Sequence, residues 1–398
     1  MEDITRYQKV LENVLAAAAQ RDYAGYSKFD ALNSPVLERL SFRCQWGRLF
    51  WIQAVKAFPL NMRPLLGVQK SRNPKGIALF ARAYLFLYQF TRRRSFLTHA
   101  EELLEWLADN PSPGYENLCW GYNFIWQSPL FLQERFEPNV VVTVFVGEAF
   151  IHAYRVTGDR KYLDSATSVA RFILENVPVL YDDPEEMAIA YVLRKVSAVV
   201  LNNNVLAGAF LVKLWNETRN PEMLSVATRL LSFTVNRRTD YYAWYYTYPR
   251  QMSPLRHDNY HTGGILDGLL EYWEEAGDDR FMDVYWKGLK YYSGSLFEKD
   301  GAPRWMNDRR YPHDIHGSAQ GIITFSKAGL YRPEYLDQSK KIIEWTVKHL
   351  YRAKMNDFVY RKGRFIRWNY SLMRWCNAWM SRAIGGMITS FMKNRLEC

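Results

Sequence analysis

The stretch "DNYHTGGILDGLLEYWEEAGDDRFMDVYWKGLKYYSGSLF", Asp258 to Phe297, reads as two helices back to back. The first is rich in small and apolar residues, and the second carries charge on one face. Between them "AGDDRFMDVY" stops one helix and starts the next, with Gly277 free to adopt the left-handed conformation of a helix C-cap. Working outward, the same plan returns four more times. It appears in "PKGIALFARAYLFLYQF" with "SFLTHAEELLEWLADN", from Pro74, and in "PNVVVTVFVGEAFIHAYRVTGD" with "RKYLDSATSVARFILENV", from Pro138. It appears again in "NNVLAGAFLVKLWNETRN" with "PEMLSVATRLLSFTVNRR", from Asn203, and in "DIHGSAQGIITFSKAG" with "PEYLDQSKKIIEWTVKHLY", from Asp314. The turns rhyme: "TGDRKYLDSA", "TRNPEMLSVA", "LYRPEYLDQS". A sixth small-residue helix begins near Tyr370, and the segment "LERLSFRCQWGRLFWIQAVKAF" is its expected partner.

Starts at 74, 138, 203, 258, 314 and 370 give a period of about 55–65 residues, longer than the common short helical repeats. Six helical hairpins with small residues in alternate helices predict an all-α chain folded as an (α/α)6 toroid. One domain is expected over residues 1–398, with an N-terminal helix closing the ring against the last one. Gly263, Gly264, Gly317, Ala319, Gly321, Gly385 and Gly386 let the crowded inner helices approach. The competing arrangement is an open solenoid. In a ring the inner helices run parallel, so the loops entering them gather at one mouth.

Those loops hold the unusual residues. "CWGYNFIWQSP" contributes Trp120, Tyr122, Trp126 and Gln127, and Asn139 and Asn204 stand near the next helix starts. "DYYAWYYTYPR" brings Trp244, Tyr245 and Tyr246, and "RWMNDRRYPHDIH" brings Trp305, Arg309 and Arg310. Asp258 and Asp314 sit where N-caps belong. Each is followed on the first turn by a histidine, His261 or His316, and Gln320 lies one turn beyond the second. A helix N-terminus favours neutral imidazole, which can act as a base. The set 257, 261, 313 and 316 has spacing compatible with a metal, but His257 and His313 precede the caps, and no metal is expected.

Aromatics reach 16% with 14 Trp and 27 Tyr, enough to supply stacking platforms for sugar rings as well as a core. The net charge is +11, and ten Lys and Arg from Arg352 to Arg395 face only Asp357 and Glu397, which suits an acidic partner. No nucleic-acid-binding motif accompanies the charge. No glycine-rich nucleotide fingerprint appears, so no cofactor is expected. Cys44, Cys119, Cys376 and Cys398 lack metal or disulfide spacing. The acidic opening "MEDITRYQKV" lacks an apolar run, and no uninterrupted apolar stretch of membrane-spanning length is read, so a soluble cytoplasmic protein is expected. The last helix, "RWCNAWMSRAIGGMITSFMKNR", is read as amphipathic and basic, a candidate for peripheral membrane contact.

"GYSKFDALNSP", "CWGYNFIWQS", "DNYHTGGILDGL" and "YPHDIHGSAQGI" resemble signature segments of a poorly characterised family from bacterial gene clusters for O-antigen, capsule or exopolysaccharide. The chain departs from that pattern at Ser27-Lys28, where an acidic residue is typical, and at Ile125, where Asp is. The toroid is also similar to glucuronyl C5-epimerases, unsaturated glucuronyl hydrolases, alginate and heparin lyases and N-acylglucosamine 2-epimerases. This resemblance implies a carbohydrate-active protein with an acidic oligo- or polysaccharide substrate. Three readings follow. In an epimerase or lyase, His261 or His316 is the base, Tyr245 or Tyr246 returns the proton, and Arg309 or Gln320 neutralises a uronic carboxylate. A glycoside hydrolase would pair Asp258 with Asp314, with Asp308 in reserve. A glycan-binding protein would keep the cleft without the chemistry.

Overall fold

A computed structural model of the chain describes residues 2–396; Glu397, Cys398 and the side chains of Glu2, Arg395 and Leu396 lie outside the described part. The fold is an (α/α)6 toroid. Five inner helices are α4 (Pro74–Thr91), α6 (Val140–Thr157), α8 (Leu201–Thr218), α10 (Asn259–Ala276) and α12 (Ile315–Ala328). The sixth is a π-helical turn, Met373–Ala378, continuing into α14 (Trp379–Leu396). Each inner helix packs on the next, and α14 returns to α4, so the ring closes and the open solenoid is excluded. The outer layer is α5 (Arg94–Asp109), α7 (Arg160–Arg171), α9 (Pro221–Val235), α11 (Met282–Leu296) and α13 (Glu334–Leu350).

The sixth outer position corrects the reading of the sequence. It is filled by α1 (Glu2–Ala19), which packs on α14. The segment at 37–58 instead folds as α2 (Pro35–Leu40) and α3 (Gln45–Ala57) and lies over the mouth of the ring. Its helical pattern was legible, but α1 offers the inward apolar face Tyr7, Leu11, Val14 and Leu15 that the ring requires.

Local chemistry sets the hairpins. Asn73, Asn139, Asp258 and Asp314 cap inner helices by accepting from backbone N–H groups of Gly76, Val142, His261 and His316. Each such cap is worth about 1 kcal/mol. The helices stop at left-handed residues, Gly158 and Gly277 among them. Small residues are required where helices meet: a Cβ at Gly268 would lie 2.3 Å from Val205, and one at Gly321 would lie 2.4 Å from Phe297. Gly264 differs from this expectation. Nothing stands within 4 Å of its missing Cβ, because it faces open space inside the ring.

One continuous apolar core runs from Tyr7 to Ile388, and a small second core under the cap joins Leu32, Leu37, Ile52 and Val55. α6 is long and apolar enough to cross a membrane by composition, but its residues are packed inside the ring. The last helix is likewise packed as an inner helix from Trp379 to Ser390, with Arg374 and Arg382 turned inward, so its described residues offer no extended amphipathic face. The expected basic face is thereby divided, with Arg361, Arg374 and Arg382 buried while Arg364 and Arg367 stay exposed.

Candidate active site

The inner-helix N-termini surround a cavity of about 350 Å³, roofed by Leu49, Gln53 and Lys56 of α3. Of the residues singled out in the sequence, His261, His316, Tyr246, Tyr122, Trp126, Gln127, Trp305 and Gln320 line it.

The two histidines are held differently. Asp258 accepts the His261 backbone N–H through Oδ1 at 2.9 Å and the imidazole Nδ1–H through Oδ2 at 2.5 Å. A carboxylate can only accept, so the neutral imidazole would carry its proton on Nδ1 and leave the Nε2 lone pair toward the cavity. His316 has no hydrogen-bond partner at either ring nitrogen. Its ring stacks on Tyr260 at 4.6 Å and 10°, against Trp375 and Trp379. Burial, with the charges of Lys75, Lys28 and Arg374, holds its pKa well below the ordinary imidazole value, so it is neutral. Tyr260 lies between the two imidazoles, 4.4 Å from His261. Tyr246 stands 4.4 Å from His261, and burial raises its pKa, keeping the hydroxyl protonated.

The other candidates lie elsewhere. Asp314 is buried behind the wall, bonded to the His316 N–H, to Trp375 Nε1 at 2.7 Å and to Lys28 Nζ at 3.4 Å. Asp258 is also spent on its cap and on His261. Among the described residues that line the cavity there is no carboxylate. Asp308 pairs with Arg256 away from it. Tyr245 packs on His257, not on the cavity. Trp120 and Trp244 are core anchors: their indole N–H groups donate to Leu107 O and Thr234 O, at the ends of α5 and α9. Asn139 is a cap, and Asn204 ties Ile189 N to Val200 O. Arg309 and Arg310 are exposed, and Arg310 pairs with Glu298. Ile125 packs on the small core under the cap. His257 and His313 donate from Nδ1 to Trp244 O and Pro303 O, each at 2.8 Å. No cluster of three His, Cys, Asp or Glu among the described residues is placed to hold a metal.

The cations are what the sequence did not signal. Lys28, Lys56, Lys75 and Arg374 all face the cavity. Burial draws Lys28 down to about 8 although Asp314 holds it up. Partly buried Lys56 is drawn down to about 7 by burial and by Lys28 and Arg361. Lys75 lies 3.8 Å over the Phe145 ring, and burial and Arg374 hold its pKa well below the ordinary ammonium value. The Arg374 guanidinium lies over Tyr122, and its buried Nε has no partner. Lys75 and Arg374 have no ion pair with any described carboxylate. The cavity is thus walled by aromatic rings and carries two imidazoles and basic side chains, with no carboxylate among its described lining residues.

No protein-family profile matches the chain. No curated protein matches it in sequence. Solved structures do match the fold. A cellobiose 2-epimerase from Bacillus thermoamylovorans is similar at 10% identity and TM-score 0.65, over 82% of this chain and 90% of that one. An α-mannanase from Bacteroides thetaiotaomicron is similar at 13% identity and TM-score 0.63, over 83% and 88%. An unsaturated glucuronyl hydrolase specific for heparin is similar at 13% identity and TM-score 0.60, over 83% and 89%.

Proposed function

We propose that the protein is a carbohydrate-active enzyme that moves a proton on an acidic sugar ring, as an epimerase or lyase, in the assembly of a bacterial surface polysaccharide. The observation that carries this reading is the cavity itself: two imidazoles on the first turns of neighbouring inner helices, unpaired cations beside them, and no lining carboxylate. His261 takes the proton next to the sugar carboxylate through Nε2, and Asp258 stabilises the imidazolium that forms. The electron pair left behind spreads onto the carboxylate, where Arg374 holds its charge, joined by Lys75 once the bound anion favours its ammonium form. That role falls to these two in place of Arg309. Tyr246 is the protonated group at hand to return a proton. His316, its buried ring nitrogens unpartnered, is held neutral in the aromatic wall beside His261. A bound anion also offsets the cationic field that, after burial, holds its pKa down. Sugar epimerases among the structures of similar fold support the reaction class, and the glucuronyl hydrolase supports an acidic sugar. The two-carboxylate hydrolase reading has no carboxylate in this cavity to work with.

The test uses polysaccharide from a strain lacking the protein, incubated with purified protein in D2O and followed by proton NMR. Loss of a ring-proton signal without cleavage is the expected result for an epimerase, and new vinyl signals for a lyase. New reducing-end signals would replace this reading with hydrolysis. An unchanged spectrum with glycan binding intact would make the protein a binding module.

A further inference from the structure

The described residues expose eighteen large apolar side chains, and ten of them fall in two short stretches, 36–65 and 365–366. The other eight are scattered from 115 to 355. The first stretch is the α2–α3 cap and the loop after it. It shows Phe42 at 84% exposure, Trp46 at 77%, Phe50 at 62% and Leu65 at 80%. The second is the tip of the hairpin formed by Arg361–Lys362 and Arg367–Trp368, where Phe365 is 88% exposed. The two stretches form one face. Arg361 donates to Lys56 O at 3.0 Å and Trp368 Nε1 donates to Ala57 O at 2.9 Å, which pins the hairpin to the end of α3. Phe42 and Arg43 are both held at φ 51°, a conformation that costs an L-residue energy and that here turns a bare phenyl ring outward.

We infer that this cap is a docking surface for an anionic lipid bilayer, placing the cavity mouth at the membrane surface. Concentration of exposed apolar area on one face marks an interaction site, and two features of its charge select lipid over a protein partner. Positive charge is interleaved with it rather than set around a rim: Arg39 beside Leu40, Arg43 beside Phe42, Arg364 and Arg367 on either side of Phe365 and Ile366. The core of a protein interface is depleted in charge, whereas a bilayer surface presents phosphates and acyl boundary side by side. Finally, the exposed charged side chains of residues 36–70 are Arg39, Arg43 and Lys70, with half-buried Arg48 and Glu38 beside them and Arg63 buried on Asp30, a surface balance that suits anionic headgroups. The stripe of α3 next to Trp46 and Phe50 carries Leu49, Gln53 and Lys56, which roof the cavity, so the docking face and the mouth are continuous. The inference does not depend on the proposed chemistry, since vesicle binding requires no turnover.

Full-length protein is mixed with phosphatidylcholine vesicles with or without phosphatidylglycerol, and the bound fraction is read by co-sedimentation. Binding to the phosphatidylglycerol vesicles is expected, weakening as salt is raised. The double variant Trp46→Ser, Phe50→Ser and the separate variant Arg39→Glu, Arg43→Glu, Arg364→Glu should each lower partitioning by roughly tenfold or more, with unchanged circular dichroism melting. All these side chains are exposed, so the fold does not rest on them. Absence of binding to either vesicle, or equal binding by both variants, would overturn the inference. So would wild-type dimers by light scattering that the Trp46→Ser, Phe50→Ser variant abolishes without any vesicle binding, since a second copy would then cover the face.

Discussion

The segments 257–261 and 313–316 look like copies, yet they do different work. Each opens with a histidine that donates to a backbone carbonyl, and each has an aspartate that caps an inner helix. The spacing to the second histidine then separates them. His261 stands three residues after Asp258, and its ring comes back onto the carboxylate that caps its own backbone. His316 stands two residues after Asp314, and its ring turns away to stack on Tyr260. The second oxygen of Asp314 is left for Lys28. One residue of difference thus makes the same cap the partner of an oriented imidazole in one case and a hidden counter-ion in the other.

Breaking each partner should expose this difference. His261→Ala is expected to lose about 10²–10⁴ of turnover with the fold intact, read by solvent-deuterium incorporation. Full activity in that variant would remove His261 from the chemistry. Asp314→Ala should cost about 3–5 kcal/mol in denaturant unfolding, because it leaves the Lys28 ammonium buried without its counter-ion. Asp258→Ala should cost only about 1 kcal/mol, the value of a cap, while lowering turnover by disorienting His261. Equal losses of stability would refute the division of roles. Lys75→Met and Arg374→Met should each weaken binding of the acidic glycan roughly tenfold, as expected for loss of a charge-assisted hydrogen bond, and spare its carboxyl-reduced form.

The smallest effect concerns pH. The His316 pKa lies below its unfolded value, so the unfolded chain binds the extra proton first. Its contribution to stability is complete above about pH 6.5 and is lost as pH falls from there. His316→Asn should therefore flatten the drop in Tm between about pH 7 and pH 5 relative to wild type. His261→Asn provides the comparison; a slope unchanged in the His316 variant would count against the buried neutral imidazole.

The ring was legible because local signals agreed. Small residues marked alternate helices, glycines and prolines marked the turns, and Asn73, Asn139, Asp258 and Asp314 sit at the caps of the inner helices. His261, His316 and Gln320 followed from those caps. Trp120 and Trp244 misled because a tryptophan in a loop has two uses, and here each indole closes the end of an outer helix. The cations were missed because they come from four unrelated places: the loop at Lys28, the end of α3 at Lys56, the first turn of α4 at Lys75 and the π-helical turn at Arg374. Only Lys75 left a clue. A lysine on a helix's first turn opposes the helix dipole, and such a local conflict often marks a functional position. The departure at Ser27-Lys28, noted as a missing acid, puts a buried ammonium in the cavity wall.

Closure of the ring has a consequence for how the protein is made. Lys28 and Lys75 emerge from the ribosome hundreds of residues before Arg374, Trp375 and Trp379, yet all five face one cavity. Until the sixth inner helix docks between α12 and α4, the nascent chain has half a seat for an anion and an open seam in its core. On the proposed reading, holding an acidic sugar would report that the last joint of the ring has been made, and a glycan present during refolding should select the closed molecule over every partial one.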